Sequence, residues 1–167
     1  MRLDPLTNLL FAVTANGTQY FNVTAMTARN GLSVLECWQL STPIQSTGSN
    51  GLTGASVLAL GSMSSFSWVM QPPGTTGGLK NAPAPVFTWV LSGLLHITLS
   101  NSSQETWLQG GRHGLIFAND ANTTGHTAHF EGKDETVMLL SETQDGEVPE
   151  HSVLYGGPCR WEELVQI

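Results

Sequence analysis

Between Val86 and Ser141 short apolar runs and compact turn signals alternate, and this punctuation restricts the fold more than any other feature of the chain. Val86–Ser92 and Leu94–Leu99 meet at the corner Ser92-Gly93. Glu105–Leu108, Leu115–Asn119, His126–Glu131 and Glu135–Ser141 follow. The turns between them are Asn101-Ser102-Ser103, a Gly-rich stretch around Arg112 and His113, and Gly132-Lys133-Asp134. Each run is too short for a stable helix, and strands at this spacing predict an antiparallel sandwich or barrel rather than a parallel sheet with helical crossovers.

The earlier half fits the same plan. Tyr20–Thr27 and Ser33–Leu40 alternate as strands, joined by the hairpin signal Arg29-Asn30-Gly31. Leu52–Leu60 and Ser64–Met70 are further strand candidates meeting at Gly61-Ser62, whereas 41–51 has no period and reads as loop. Gln71–Pro85 holds three glycines and four prolines, which bars it from a central position in a sheet. At the front, Asp4-Pro5 before Leu6, Leu9, Leu10 and Val13 predicts a short capped helix that stops at Asn16-Gly17. Trp161-Glu162-Glu163-Leu164 predicts a last helical turn. No repeat or linker divides the 167 residues, so one domain over 1–167 is expected.

Charge narrows the partners. Only 11% of residues are charged, the net charge is −7, and the six Lys and Arg form no cluster. That argues against nucleic acid and against anionic membranes, both of which need basic patches. No apolar run reaches the roughly 20 residues that span a bilayer. Arg2 and Leu9–Val13 outline a signal peptide only faintly, since Asp4 sits in the would-be basic region, so a cytoplasmic protein is expected. Four Asn-x-Ser/Thr sequons, at Asn16, Asn22, Asn101 and Asn122, keep secretion open, although a chain rich in Ser and Thr generates such triplets by chance. Cys37 and Cys159 read as two buried thiols, with a disulfide tying the tail to the sheet as the alternative.

The corner Leu91-Ser92-Gly93 and the run Ala118-Asn119-Asp120 followed by Gly125-His126 resemble a branch of small single-domain cupins. In that branch the earlier strand ends in Leu-Ser-Gly and the second motif carries Asp before Gly-His. The resemblance covers about residues 64–141. It implies an all-β, antiparallel double-stranded β-helix, a jelly-roll barrel, to which the predicted N-terminal helix is added. Most cupins hold a divalent metal through His, His and Glu of a first motif and His of a second. Anchored on Gly93, the Glu position falls on Val86, and the His positions fall on Lys80 and Ala82 or on Leu79 and Asn81. The second motif keeps its histidine as His126, while its Pro and Asn positions hold Ala121 and Phe130. One ligand of four implies no catalytic metal and no cofactor. The resemblance also implies a homodimer paired sheet to sheet, which an outward Trp89 suits.

Side chains alternate along a strand. With the position of Val86 inside the barrel, Thr88 and Val90 face inward, and Phe87, Trp89 and Leu91 outward. His126 inside brings Ala128 and Phe130 with it and sends His129 out. The pocket drawn this way is apolar, with one imidazole and one hydroxyl. His126 is the best proton-moving group, the alternative being a hydrogen-bonded core histidine. Asp120 would orient it, or else merely shape its turn. Glu36 becomes a second acid/base partner if it points inward, and its parity ties it to Trp38. Trp38, Trp68, Met70, Thr88, Val90 and Phe130 are the candidate substrate contacts, although core packing explains each aromatic equally well.

Three functions compete. The favoured one is a metal-independent isomerase, cyclase or dehydratase acting on a hydrophobic small molecule, a secondary metabolite among the candidates. A metal-dependent dioxygenase would need three or more His, Glu or Asp converging on His126. A non-catalytic binding module would need neither, because fold alone does not give function.

Overall fold

The computed structural model describes residues 17–48 and 51–164. The predicted helix at Asp4–Val13 and the sequon at Asn16 lie outside the described residues. Thirteen strands carry the fold. A seven-stranded sheet is built from β1 (Tyr20–Arg29), β2 (Leu32–Pro43), β5 (Ser67–Gln71), β7 (Val86–Ser92), β10 (Leu115–Asn119), β12 (Thr136–Glu142) and β13 (His151–Gly156), in the order β13-β2-β1-β10-β7-β12-β5. A four-stranded sheet is ordered β6-β11-β8-β9, from β6 (Thr75–Thr76), β8 (Leu94–Leu99), β9 (Glu105–Gln109) and β11 (His126–Glu131). A small ribbon pairs β3 (Gln45–Thr47) with β4 (Ala55–Val57).

The all-β expectation holds, with two corrections. The sheets lie face to face but do not close into a barrel. One pairing is parallel: β1 runs alongside β10, with Thr24 opposite Ile116 and Thr27 opposite Asn119.

Local chemistry explains the joints. Arg29 pairs with Leu32, leaving Asn30 (φ 52°) and Gly31 (φ 77°) as a two-residue turn, the positive-φ pair that matches strand twist. Gly93 marks where the chain leaves the large sheet for the small one. Its φ is 86°, and a Cβ there would meet Thr136 Cα at 2.7 Å, so both conformation and space demand glycine.

The inner faces make one core, with Met26, Leu35, Val86 and Ile116 meeting Leu95, Ile97 and Phe130. The outer face of the large sheet is also covered. Val23, Trp38, Phe87 and Phe117 form a second core beneath Leu58, Leu60 and Met63. This double burial is why β1 is continuously buried from Asn22 to Thr27. It also corrects the strand expected at Leu52–Leu60, where only Ala55–Val57 pairs, while Leu58 and Leu60 pack on that outer face as irregular chain. The predicted loop 41–51 is shorter than expected, because β2 runs on to Pro43 and β3 follows. β13 had no sequence signal: it is an edge strand, mostly exposed, and shows no alternation of burial.

Cys37 and Cys159 are joined as a disulfide, Cα atoms 4.5 Å apart, and the reading as two free thiols is corrected. Both are buried, with Leu164 and Tyr155 packed around them. The tail is further held by Cys159 N–H donating to Thr24 Oγ1 (3.1 Å) and Asn22 Nδ2 donating to Glu163 O (3.1 Å). The expected last turn is present as a short 3-10 turn at Trp161–Glu163.

Candidate functional site

Asp120 follows the last residue of β10, and His126 opens β11, so the crossing from large sheet to small carries both groups. The crossing is tightly tied. His126 exchanges two backbone hydrogen bonds with Lys80, at 2.8 and 3.0 Å. Asn81 Nδ2 donates to Asp120 O (2.8 Å) and to Thr123 Oγ1 (2.9 Å), and Gly125 N–H donates to Ser33 Oγ (2.9 Å). Gly125 has φ 81° and lies so close to Lys80 O (2.8 Å from an added Cβ) that no side chain fits.

Asp120 is fully buried, and its carboxylate accepts three hydrogen bonds. Ala82 N–H reaches Oδ1 (2.8 Å), while Ser33 Oγ (3.0 Å) and His126 Nδ1 (2.8 Å) reach Oδ2. Burial alone would raise the Asp120 carboxyl. The hydrogen bonds from His126 and Ala82, the charge on His126 and the Ser33 hydroxyl outweigh it and hold the group below the usual carboxylate range. An ionised carboxylate only accepts, so His126 Nδ1 donates to it, and Nε2 is the ring nitrogen on the side away from Asp120. Nε2 has no hydrogen-bond partner among the described residues, yet no buried side-chain nitrogen or oxygen is left unsatisfied, so Nε2 opens onto the cavity.

That cavity, about 150 Å³, lies between the sheets. Met26, Leu95, Ile97, Ile116 and Met138 make its walls apolar; Thr88, Asn81, Lys80 and His126 are its polar lining residues. Thr88 and Phe130 therefore stand where the sequence put them, at the cavity. Val90 belongs to the same inner core but does not line the cavity.

Four expected placements are corrected. Ser33 reaches Asp120 and Leu35 joins the inner core, so alternation along β2 puts Glu36 and Trp38 on the opposite face. There Glu36 accepts from Arg29 Nε (2.7 Å) and Trp38 Nε1 (2.7 Å), and the His151 ring stacks on Trp38 at 3.4 Å. Burial would raise the Glu36 carboxyl, but those hydrogen bonds and the nearby positive charge hold it low. Val69 is the β5 residue that turns inward, leaving Trp68 (63% exposed) and Met70 (57%) on the outer surface.

The spare histidines also face away from the cavity. His96 stacks on Trp107 and bonds Glu105 (3.1 Å), and His129 bonds Thr76 and Thr98 on the outer face of the small sheet. His113 lies against Trp161. Among the described residues no group of three or more His, Cys, Asp or Glu is arranged to hold a metal ion.

Sequence reasoning missed Ser33, Ala82 and Asn81 as supports of the dyad. Ala82 contributes a backbone N–H, which leaves no trace in a side-chain pattern. Ser33 was readable only as the start of a strand, because its partner lies 87 residues away. No protein-family model matches the chain, and no curated protein matches it.

Proposed function

We propose that the cavity takes a small, largely apolar molecule and that His126, oriented by Asp120, moves a proton on it in a metal-independent isomerase-, cyclase- or dehydratase-type reaction. The reading keeps the cupin-type jelly roll as the fold. Its carrying observation is a histidine whose Nδ1 is locked to a buried carboxylate while Nε2 opens into an apolar cavity. Nε2 accepts a proton from one position of the substrate and returns it to another, or to a departing hydroxyl, so no external oxidant or reductant enters the balance. Asp120 stabilises the imidazolium formed between the two transfers. The volume sets the scale, since a cavity of about 150 Å³ holds a benzene-sized body. Ring-sized apolar molecules are therefore the first probes to try.

His126→Ala is expected to lower turnover by about 10²–10⁴-fold, the usual worth of a positioned base. Binding of ring-sized apolar probes, followed by thermal shift, should survive the substitution. Retained turnover in His126→Ala would sink the proposed chemistry. Probe binding to the wild type with no turnover on any ring-sized substrate class would reduce the protein to a binding module.

Pairing of two copies belongs to the same reading. Ser67–Gln71 is an edge strand without a charge or a proline, and Trp68, Met70 and the neighbouring Leu91 are exposed. An unguarded apolar edge favours a second copy. Light scattering is expected to give twice the chain mass, and Trp68→Glu the monomer. A monomeric wild type would remove the dimer.

A further inference from the structure

The four sequons are not equivalent in the fold, and the Cys37–Cys159 disulfide changes what they mean. Asn16 lies outside the described residues. Asn22 is buried within β1, 7% exposed, and its amide nitrogen is committed to Glu163 O at 3.1 Å. A glycan on that nitrogen would displace the C-terminal segment from β1. Asn101 and Asn122 are different. Both are exposed and both sit in turns, between β8 and β9 and between β10 and β11. Asn122 has φ 58°, the left-handed conformation that Asn tolerates, and its side chain makes no hydrogen bond among the described residues. Among the described residues the Asn101 side chain is engaged through Oδ1, which accepts from Thr124 Oγ1, and its Nδ2 has no partner. N-glycosylation replaces one hydrogen on Nδ2, so neither site would lose a contact.

A disulfide between buried cysteines 122 residues apart in sequence forms and persists where thiols are oxidised. That is also the compartment in which sequons are read. We infer that this chain matures in an oxidising secretory compartment and is N-glycosylated at Asn101 and Asn122, with Asn22 left bare. In the transfer, Asn Nδ2 forms a bond to C1 of an oligosaccharide carried on a lipid pyrophosphate. The C1–O bond to that pyrophosphate breaks, and the amide gives up one proton. The two glycans would project from one end of the molecule, because Thr124, the hydroxyl residue of the Asn122 sequon, is bonded to Asn101.

The test is peptide mapping of the chain isolated from its natural source, without reductant, before and after amidase deglycosylation in ¹⁸O-water. Asn101 and Asn122 are expected to convert to labelled Asp, Asn22 to remain Asn, and the Cys37 and Cys159 peptides to run as one linked species. Asn101→Gln and Asn122→Gln should each remove one glycan increment from the intact mass. Unlabelled Asn101 and Asn122, or thiols reduced in the isolated chain, would overturn the inference. A labelled Asn22 in folded protein would overturn its structural basis.

Discussion

Asp120→Ala is expected to destabilise the fold by about 3–5 kcal/mol, at about 1–3 kcal/mol for each buried donor left without its acceptor. The carboxylate has no exposure and gathers donors from three separate parts of the chain: the Ser33 hydroxyl, the Ala82 N–H and the His126 ring. Its removal leaves all three donors buried and unpaired. Asp120→Asn should cost less, because an amide oxygen still accepts from Ala82 or Ser33. It would nevertheless present N–H to the ring and push the proton from Nδ1 to Nε2, abolishing the base at the cavity. Turnover should therefore fall further in Asp120→Asn than its loss of stability accounts for.

The acid limb gives an independent check. The folded pKa of Asp120 is lowered relative to the unfolded chain. The corresponding stability is fully present above the ordinary carboxyl range and is lost as pH falls through the depressed folded value. Urea unfolding from neutral pH into acid should show a loss of stability in the wild type that is shallower in Asp120→Ala. Parallel pH profiles for the two proteins would refute the role given to this carboxylate.

Reduction, or the double substitution Cys37→Ala with Cys159→Ala, is expected to produce the second large loss. With the cysteines 122 residues apart in sequence, the chain-entropy argument gives about 4–5 kcal/mol, and native disulfides typically contribute about 2–5. The effect should be concentrated at the tail. Cys159 is anchored to Thr24 and Glu163 to Asn22, so 157–164 covers part of β1 and β2 only while the bridge holds. Unfolding with and without reductant, together with hydrogen exchange across β1, measures both effects. An unchanged unfolding midpoint would show that the packing of Leu164 and Tyr155 suffices without the bond.

What the sequence disclosed depended on how far its signals reach. Alternation within a strand is local, and it correctly turned Val86, Thr88 and Phe130 toward the inner core and Phe87 and His129 away from it. The turn at Asn30-Gly31 and the corner at Gly93 were readable because backbone conformation there demands particular residues. Glu36 and Trp38 were misplaced because alternation fixes which residues share a face, not which face meets the cavity. For β2 that is decided by tertiary contacts, with Ser33 reaching across to Asp120 and Leu35 entering the inner core. The disulfide and the parallel β1–β10 pair were hidden for the same reason, since each joins segments about ninety residues or more apart. The edge strand β13, exposed along most of its length, had no burial pattern to read.

The parallel pairing of β1 with β10 also sets an order of events. The β1–β2 hairpin closes through a two-residue turn and its pairing is local in sequence, so its formation is fast. Its docking waits on β10, whose partner residue Ile116 lies far downstream of Thr24. Closing so large a loop costs entropy before any contact repays it. The N-terminal hairpin is thus an early local structure and a late arrival in the sheet. Until it docks, β10 presents an unpaired backbone edge, and Ser33 has not yet reached Asp120.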